Sequence, residues 1–324
     1  MNYFRILLAI AFSALAAIAQ AVNLPGPVIS ADWLSQNIAD VQVVVVTGDT
    51  AVFTRAPEIA TDPKTGKKVV TEVGGHMAGA SLFDFKKARV EKAIATAKVK
   101  FLIPEMADFE KLVQGIGVNA GKPIVLVPLG QDISDVDEAL RVLWSFKVYG
   151  EQNIAVLDGG LAGWLADGKP VTTAAAAKPA GNWVGKGVDS ALVATGDEVA
   201  QASKSGKAAL IDARPAPQYF GIVKSASITA GGHVAGARNF APDILTRSSN
   251  GALYFLGKAT YEALLKQIGV DPAAPAITYC NTGHLASGAW FMAHEIVGNK
   301  DVKLYDGSMH YWTLENRPVV TVPM

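Results

Sequence analysis

The sequence predicts an α/β protein of two tandem domains, each a parallel sheet with helices on both faces. Short β-branched segments alternate along the chain with segments of helical periodicity, which is typical of parallel sheets covered by helices. A pair of motifs occurs twice, in the same order and at nearly the same spacing. A polar, alanine-rich segment separates the copies, so each half is expected to bury its own core.

The repeat consists of two motifs. Residues 74–80 (GGHMAGA) recur 157 residues later as 231–237 (GGHVAGA). Residues 157–160 (LDGG) recur 148 residues later as 305–308 (YDGS). Two motifs that recur in order indicate a duplicated domain. We expect the histidine of the first motif to be structural and the aspartate of the second to shape a turn.

The strands and helices are predicted from periodicity and capping. In the N-terminal half the strands are 41–46, 124–127 and 154–157, and a helix covers 136–146. In the C-terminal half the strands are 208–211 and 276–279, and the helices are 261–268 and 286–297. Another helix is expected to begin at Thr195, because Thr195 and Glu198 form a capping box.

The N-terminal 21 residues predict a signal peptide. They carry one charge, Arg5, then an apolar stretch, and they end in the small-x-small sequence Ala-Gln-Ala. The apolar stretch is shorter than the roughly 20 residues that a membrane helix needs. We therefore expect a periplasmic or secreted protein without membrane association after signal removal. An uncleaved N-terminal anchor is the alternative.

The predicted domain boundaries follow from the leader and the polar segment. Residues 1–21 are the signal peptide, 22–168 the N-terminal domain, 169–188 the linker and 189–324 the C-terminal domain. The chain has 29 Lys and Arg against 29 Asp and Glu, a formal net charge of zero. That balance gives no electrostatic reason for binding nucleic acid, so no nucleic-acid partner is expected.

Cys280 is the only cysteine, and it lies where a predicted strand ends and a short loop leads into a helix. Ligands in parallel α/β sheets bind beyond the carboxyl ends of the strands. Unpaired N–H groups at the start of a helix favour the thiolate, which is the reactive form of cysteine. The alternative is a small buried hydrophobe, which is what many free cysteines are.

The ordered set of Asp212-Ala213-Arg214, residues 232–239, Cys280 with its loop and residues 305–308 resembles the catalytic domain of tandem-domain rhodaneses. These are thiosulfate or 3-mercaptopyruvate sulfurtransferases. The first half resembles the inactive partner domain of that family. The resemblance implies two rhodanese-like domains, no cofactor, and a cysteine that takes the outer sulfur from a donor such as thiosulfate. The resulting persulfide passes its sulfur to a thiophilic acceptor: cyanide, a thiol or a protein thiol.

Three alternatives remain open at this point. One is a 3-mercaptopyruvate sulfurtransferase, the second a persulfide carrier or sulfur-binding module without turnover, and the third a scaffold that has lost its chemistry. A cysteine-dependent phosphatase is disfavoured, because such enzymes have an arginine six residues after the cysteine and this chain has Ala286. No spacing of cysteine and histidine indicates a metal site.

The predicted site centres on Cys280 as the catalytic residue. The substrate- and persulfide-binding loop is predicted to comprise Asn281, Thr282, Gly283, His284, Leu285 and Ala286. Successive amides in a tight turn form an anion-binding nest, and glycine adopts the positive φ that such a turn needs. Arg214, Asp212 and Arg238 are candidates for substrate binding or loop orientation.

The positive charge of the site is the weakest part of the resemblance. Four residues after Arg214, where a second arginine commonly helps to hold the donor in this family, the chain has Gln218. Arg238 and His284 are the candidates to replace it, because guanidinium binds oxyanions in a fork and histidine protonates near neutrality.

The first half supplies an internal comparison. Alignment of Pro123 with Pro275, which precede the strands at 124–127 and 276–279, places Pro128 opposite Cys280, 152 residues earlier. Proline has neither a thiol nor an N–H group. The loop that follows is expected to be longer, and Asp132 and Asp135 would repel an anionic donor. We predict that the first domain has no chemistry of its own and forms one wall of the cleft.

Overall fold

The structure is a computed structural model that describes residues 22–64, 66 and 68–323. The predicted signal peptide at 1–21 lies outside these residues. Among the described residues, no helix combines the length and the apolar character needed to cross a bilayer. The chain contains two parallel sheets with helices packed on both faces, which confirms the predicted fold class.

The N-terminal half is built on a five-stranded parallel sheet. The strands are β1 (Val28–Ile29), β2 (Gln42–Thr47), β3 (Glu58–Thr61), β4 (Lys68–Glu72), β5 (Ser81–Asp84), β6 (Val90–Ile94), β7 (Ala97–Leu102), β8 (Ile124–Val127) and β9 (Ile154–Leu157). The helices are α1 (Ala31–Asn37), α2 (Met106–Gly115), α3 (Ile133–Val148) and α4 (Gly160–Ala166). The sheet order is β1-β9-β8-β2-β5, and β3-β4 and β6-β7 are separate hairpins.

The C-terminal half repeats this plan with a four-stranded parallel sheet. The strands are β10 (Ala209–Asp212), β11 (Arg238–Asn239), β12 (Thr246–Ser249), β13 (Ala252–Phe255), β14 (Ala276–Tyr279) and β15 (Val302–Leu304). The helices are α5 (Gly196–Ser205), α6 (Ala216–Tyr219), α7 (Lys258–Gln267), α8 (Leu285–Trp290) and α9 (Ser308–Leu314), and α8 continues as a π-helical segment, Phe291–Ile296. The order β11-β10-β14-β15 matches β5-β2-β8-β9 of the first sheet.

The burial pattern of β2 shows why the sheet is covered twice. Val44 and Val46 face the cluster that contains Trp144 of α3, whereas Val43 and Val45 face the opposite cluster. A strand that is apolar at every position must be covered on both faces, because successive side chains point to opposite sides. The predicted strands at 124–127, 154–157 and 276–279 match β8, β9 and β14, and the capping box at Thr195 is present.

The repeated histidines are structural, as expected. The Nδ1 atom of His76 is 2.8 Å from the carbonyl oxygen of Phe53, and the two rings stack at 3.5 Å. His233 repeats this arrangement, with Nδ1 2.9 Å from the carbonyl oxygen of Tyr219 and stacked rings at 3.8 Å. Each histidine therefore holds its own domain together.

The predicted linker packs onto the N-terminal domain. Residues 173–189 contain no helix or strand. Trp183 is nevertheless only 1% exposed, and its ring lies 5.1 Å from that of Phe146 and 5.8 Å from that of Phe109. This segment therefore contributes to the core, which its polar composition did not indicate.

One hydrophobic cluster extends across both domains. Helix α3 packs against its counterpart α8, and a single cluster of buried residues includes Trp144 of the first domain and Trp290 of the second. The turn aspartates cross the interface reciprocally: Asp158 accepts from the Phe255 N–H at 2.9 Å, and Asp306 accepts from the Ile103 N–H at 2.8 Å. The repeats are thus joined by a nearly symmetric interface. It places the loop after β8 and the loop after β14 each beside the other domain.

Candidate active site at the domain interface

Cys280 directly follows β14, at the carboxyl end of the C-terminal sheet. The residue is 1% exposed, while its neighbours Asn281 and Thr282 are half-buried. Its N–H donates to Ser308 Oγ at 3.1 Å, and its carbonyl oxygen accepts from the Met309 N–H at 3.0 Å. The thiol is therefore held at the base of a partly exposed loop by the turn that begins α9.

The loop after Cys280 presents backbone donors that no protein group uses. Among the described residues, no acceptor pairs with the N–H groups of Asn281, Thr282, His284, Leu285 and Ala286. An N–H group that ends up buried without an acceptor costs free energy, so such groups favour an anion. The outer sulfur of a persulfide lies about 2 Å beyond Sγ, and these donors belong to the six residues that follow the cysteine.

Gly283 and Ser308 fix the shape of the loop. Gly283 has a φ of +72°, and a Cβ there would lie 2.8 Å from Arg141 Nη1. The Gly283 N–H donates to Ser308 Oγ at 3.0 Å, and that hydroxyl donates to the Tyr305 carbonyl oxygen at 2.8 Å. Ser308 is fully buried with a φ of +49°, a conformation that is costly for a residue with a Cβ. One hydroxyl therefore ties together both ends of the turn, at the expense of backbone strain.

Arg214 and Asp212 form a completely buried ion pair. Arg214 Nε and Nη2 donate to the two oxygens of Asp212 at 2.9 and 2.6 Å, and Nη2 also donates to the Gly232 carbonyl oxygen. Both side chains are 0% exposed, and Arg214 Nη1 has no protein partner among the described residues. Burial opposes the charge of Arg214, but the bonds to Asp212 outweigh it and raise the Arg214 pKa. Asp212 therefore orients Arg214 and leaves one donor free.

Arg238 lies apart from the other candidates. It is exposed and lines a surface cavity with Gly236, Gly269 and Asp271, to which the thiol loop contributes no residue. Gln218, by contrast, contacts the loop, since its Oε1 accepts from Asn281 Nδ2 at 2.7 Å. The structure thus brings Arg214 and Gln218 to the site but not Arg238.

His284 does not carry the positive charge considered for it from the sequence. Burial, Arg89 and Arg141 together lower its pKa to about 3, so the ring is neutral at neutral pH. Its Nε2 lies 3.1 Å from the Ser134 carbonyl oxygen, to which a neutral imidazole donates, and its ring packs 4.9 Å from that of Phe85. His284 therefore helps to join the domains.

Sequence reasoning missed two arginines of the N-terminal domain. Arg89 Nη1 donates to Thr282 Oγ1 at 3.3 Å. Arg141 is fully buried, donates from Nη1 to the Gly283 carbonyl oxygen at 3.2 Å and pairs with Asp306 at 2.5 Å. Both lie far from the cysteine in sequence, and only the docking of the two domains brings them to the loop. An arginine at a buried position of the predicted helix at 136–146 was the one available signal for Arg141.

The corresponding loop of the first domain has the same length, contrary to expectation. Each spans five residues, between β8 and α3 in one domain and between β14 and α8 in the other. Pro128 occupies the place of Cys280, because its carbonyl oxygen accepts from the Leu161 N–H at 2.8 Å. The loops after β8 and β14 therefore match in backbone arrangement as well as in sequence position.

The first-domain loop differs in what its amides bind. The Asp135 carboxylate accepts from the N–H groups of Gly130, Gln131 and Asp132 at 2.8, 3.2 and 3.0 Å. The Asp135 carboxylate therefore binds the amides of this loop directly and occupies the place that an external anion would take. Ser287, the equivalent residue of the second domain, donates to the Gly283 carbonyl oxygen at 2.9 Å instead. Within the described part of the chain, the corresponding amides of Thr282 and His284 have no protein acceptor.

Comparisons with known proteins agree with this geometry. The rhodanese-like domain family matches residues 195–315. Thiosulfate sulfurtransferase of Mus musculus is 28% identical over 240 residues, which cover 73% of this chain and 77% of the relative. Sulfur carrier protein TtuD of Thermus thermophilus is 25% identical over 300 residues, which cover 89% of this chain and 94% of the relative.

A solved structure extends the likeness in fold to both domains. The crystal structure of SseA from Escherichia coli, a 3-mercaptopyruvate sulfurtransferase, superposes with a TM-score of 0.67 at 24% identity. The match covers 87% of this chain and 98% of that chain.

Proposed function

The chain is a rhodanese-family sulfurtransferase, and we propose that it moves a sulfane sulfur from thiosulfate, or a similar donor, to a thiophilic acceptor through a persulfide on Cys280. One observation carries the proposal. A cysteine at the carboxyl end of a parallel strand is followed by amides without protein acceptors, in only one of two otherwise matched loops. Such amides stabilise an anionic sulfur without a general base.

In the first half-reaction the Cys280 thiolate attacks the outer sulfur of thiosulfate. A new S–S bond forms to Sγ while the S–S bond of thiosulfate breaks, and sulfite leaves with the bonding electron pair. Sulfite leaves as a dianion, and the outer sulfur of the persulfide keeps the negative charge that it carried in thiosulfate. The loop amides stabilise that charge, and Arg214 Nη1, a buried donor without a partner, is available to the leaving sulfite.

In the second half-reaction the acceptor attacks the outer sulfur of the persulfide. With cyanide, a C–S bond forms, the persulfide S–S bond breaks, and Cys280 recovers the electron pair as a thiolate. No proton or redox partner is consumed in either step. Covalent catalysis divides one transfer into two easier ones, so donor and acceptor need not be bound together.

Two relatives define the competing assignments. SseA is a 3-mercaptopyruvate sulfurtransferase, and TtuD is a sulfur carrier protein. Asn281, half-buried and bonded to Gln218, does not place a cation beside the cysteine, which weakens the case for a dianionic donor. Turnover rates with thiosulfate and with 3-mercaptopyruvate distinguish the two enzymatic assignments. A carrier is distinguished from both, because it loads sulfur stoichiometrically without turnover.

Steady-state kinetics tests the proposal. We expect thiocyanate formation from thiosulfate and cyanide with parallel double-reciprocal lines, the signature of a double displacement. Cys280→Ser should retain the fold and lose all turnover, because a hydroxyl at this position cannot form the persulfide. Turnover by Cys280→Ser equal to that of the unmodified protein would refute the assignment.

We also propose that the protein is exported. The apolar stretch and the small-x-small ending of residues 1–21 support this proposal. Intact mass measurement on protein from the periplasmic fraction should give a mature chain that begins at Val22. A chain that keeps residues 1–21 and sediments with membranes would favour the anchored alternative.

A further inference from the structure

Arg89 of the N-terminal domain lies against the thiol loop of the C-terminal domain. It directly precedes β6, and its Nη1 donates to Thr282 Oγ1 at 3.3 Å. Its guanidinium carbon lies 4.7 Å from the ring centroid of Phe85 and 5.1 Å from that of Phe101. Two aromatic faces thus hold the side chain by cation–π contact, beside the residue two positions after the cysteine.

Arg89 is the arginine at the site that lacks an anionic partner. Arg141 pairs with Asp306 and Arg214 with Asp212. Among the described residues, no carboxylate lies within 4.0 Å of the Arg89 guanidinium. Burial and Arg141 lower the pKa of Arg89 to about 10, so it stays charged at neutral pH. One half-buried cation beside the thiol loop is therefore left without a carboxylate in ion-pair contact.

The hairpin that follows Arg89 is anchored to the C-terminal domain on both sides of Phe101. The Lys100 N–H donates to His310 Nε2 at 3.1 Å, and the Ile103 N–H donates to Asp306 Oδ2 at 2.8 Å. Phe101 itself has a φ of +68°, which is costly for an aromatic residue. The two hydrogen bonds maintain this strained backbone and so hold the Phe101 ring where Arg89 packs on it.

Building on the proposed function, we propose that Arg89 binds the oxyanion end of the sulfur donor, a sulfonate or a carboxylate. In the C-terminal domain, the position four residues after Arg214 holds Gln218, which bonds to Asn281, and not a second cation. A guanidinium recognises such groups through a planar fork of donors. The N-terminal domain, without chemistry of its own, would then take part in donor recognition.

Donor binding to protein that cannot react tests this assignment. Thiosulfate is titrated calorimetrically into Cys280→Ser, alone and combined with Arg89→Met, Arg89→Lys or Lys87→Met. Loss of one charge-assisted contact should weaken Kd at least about tenfold in the Arg89→Met protein. Arg89→Lys, which keeps the charge, should fall between. Lys87→Met is the matched control: it removes a nearby lysine whose side chain is 65% exposed, and it should bind as the parent does.

Equal affinities in the Arg89→Met and Lys87→Met proteins would overturn the assignment. So would unchanged affinity combined with a slower alkylation of Cys280 in a second Arg89→Met protein that keeps the cysteine, because Arg89 would then act on the thiolate alone. The same titration with mercaptopyruvate covers a carboxylate donor, and failure of both anions to bind Cys280→Ser would also overturn it. The proposed function is judged separately, by whether the unmodified protein forms thiocyanate.

Discussion

The loops after β8 and β14 share one backbone arrangement and differ in what their amides bind. In the first domain three N–H groups donate to the Asp135 carboxylate. In the second domain Ser287 stands at the equivalent position and turns its hydroxyl to the Gly283 carbonyl oxygen. The comparison shows that the duplicated fold supplies an anion nest in both copies. One side chain, Asp135 or Ser287, determines whether the amides are occupied by a carboxylate of the protein (a closed nest) or not (an open nest).

The turns at the start of α4 and α9, which support these loops, also differ between the two domains. Gly160 has a φ of +57°, and its counterpart Ser308 has a φ of +49°. Glycine adopts this conformation without strain, whereas serine does not. The second domain accepts that strain and gains the hydroxyl that holds the N–H groups of Cys280 and Gly283. Strain is thus concentrated in the copy that carries the cysteine.

The largest expected difference between the copies concerns the crossing aspartates. Asp306→Asn leaves the fully buried Arg141 without its carboxylate and should lower the free energy of unfolding by about 3–5 kcal/mol. Asp158 has no buried arginine as its partner among the described residues, and Asp158→Asn keeps an oxygen for the Phe255 N–H, so it should cost about 1 kcal/mol. Denaturant titration of both proteins measures the two values. Equal losses would mean that Arg141 does not depend on Asp306.

Transfer of the first-domain side chain to the second tests the comparison of nests. Ser287→Asp should place a carboxylate on the amides of Thr282 and His284 and lower kcat/KM by about 10²-fold or more, as when oxyanion donors are lost. Ser287→Asn is the control of similar size without the charge. If the two variants lose activity equally, steric disruption rather than occupation of the nest explains the loss.

Substitution of Ser308 separates the hydroxyl from the strain. Ser308→Gly and Ser308→Ala both leave the N–H groups of Cys280 and Gly283 without an acceptor, at about 1–3 kcal/mol for each group. Because alanine keeps a Cβ at positive φ, Ser308→Ala should be less stable than Ser308→Gly by about 1 kcal/mol. Thermal unfolding gives the order, and the reverse order would contradict the strain argument.

The last expected effect is a pH dependence at His284. Its folded pKa of about 3 lies below the ordinary value of 6.5, so acid drives a proton onto the unfolded chain first. The contribution of His284 to stability is therefore present above pH 6.5 and is lost as pH falls toward 3. His284→Gln keeps a donor for the Ser134 carbonyl oxygen and should lose less stability between pH 7 and pH 4. Parallel pH curves for the two proteins would show that the ring is not buried as described.

Much of the fold could be predicted because its signals are local. The predicted strands at 124–127 and 276–279 are buried on both faces, and the capping box at Thr195 is satisfied by its own helix. The repeated motifs identified the duplication, and position 128 opposite Cys280 followed from it. The loop around the cysteine was also predictable, since it occupies one continuous segment.

The rest of the site depends on contacts across the interface. Arg89 and Arg141 reach the loop only because the two domains dock, and no pattern near the cysteine encodes that docking. The charge of His284 was misjudged for the same reason, because those two cations and burial depress its pKa. The role of Asp135 required the backbone of its own turn, since its sequence alone indicated repulsion.

Mass spectrometry after incubation with thiosulfate tests the central claim most directly, that the open nest holds an anionic sulfur on Cys280. The account predicts that the unmodified protein gains one sulfur atom, located on the peptide that contains Cys280 and removed by dithiothreitol. Cys280→Ser should gain none, and Ser287→Asp should gain far less than Ser287→Asn. An unmodified protein that gains no sulfur, or gains it equally in Cys280→Ser, would contradict the account.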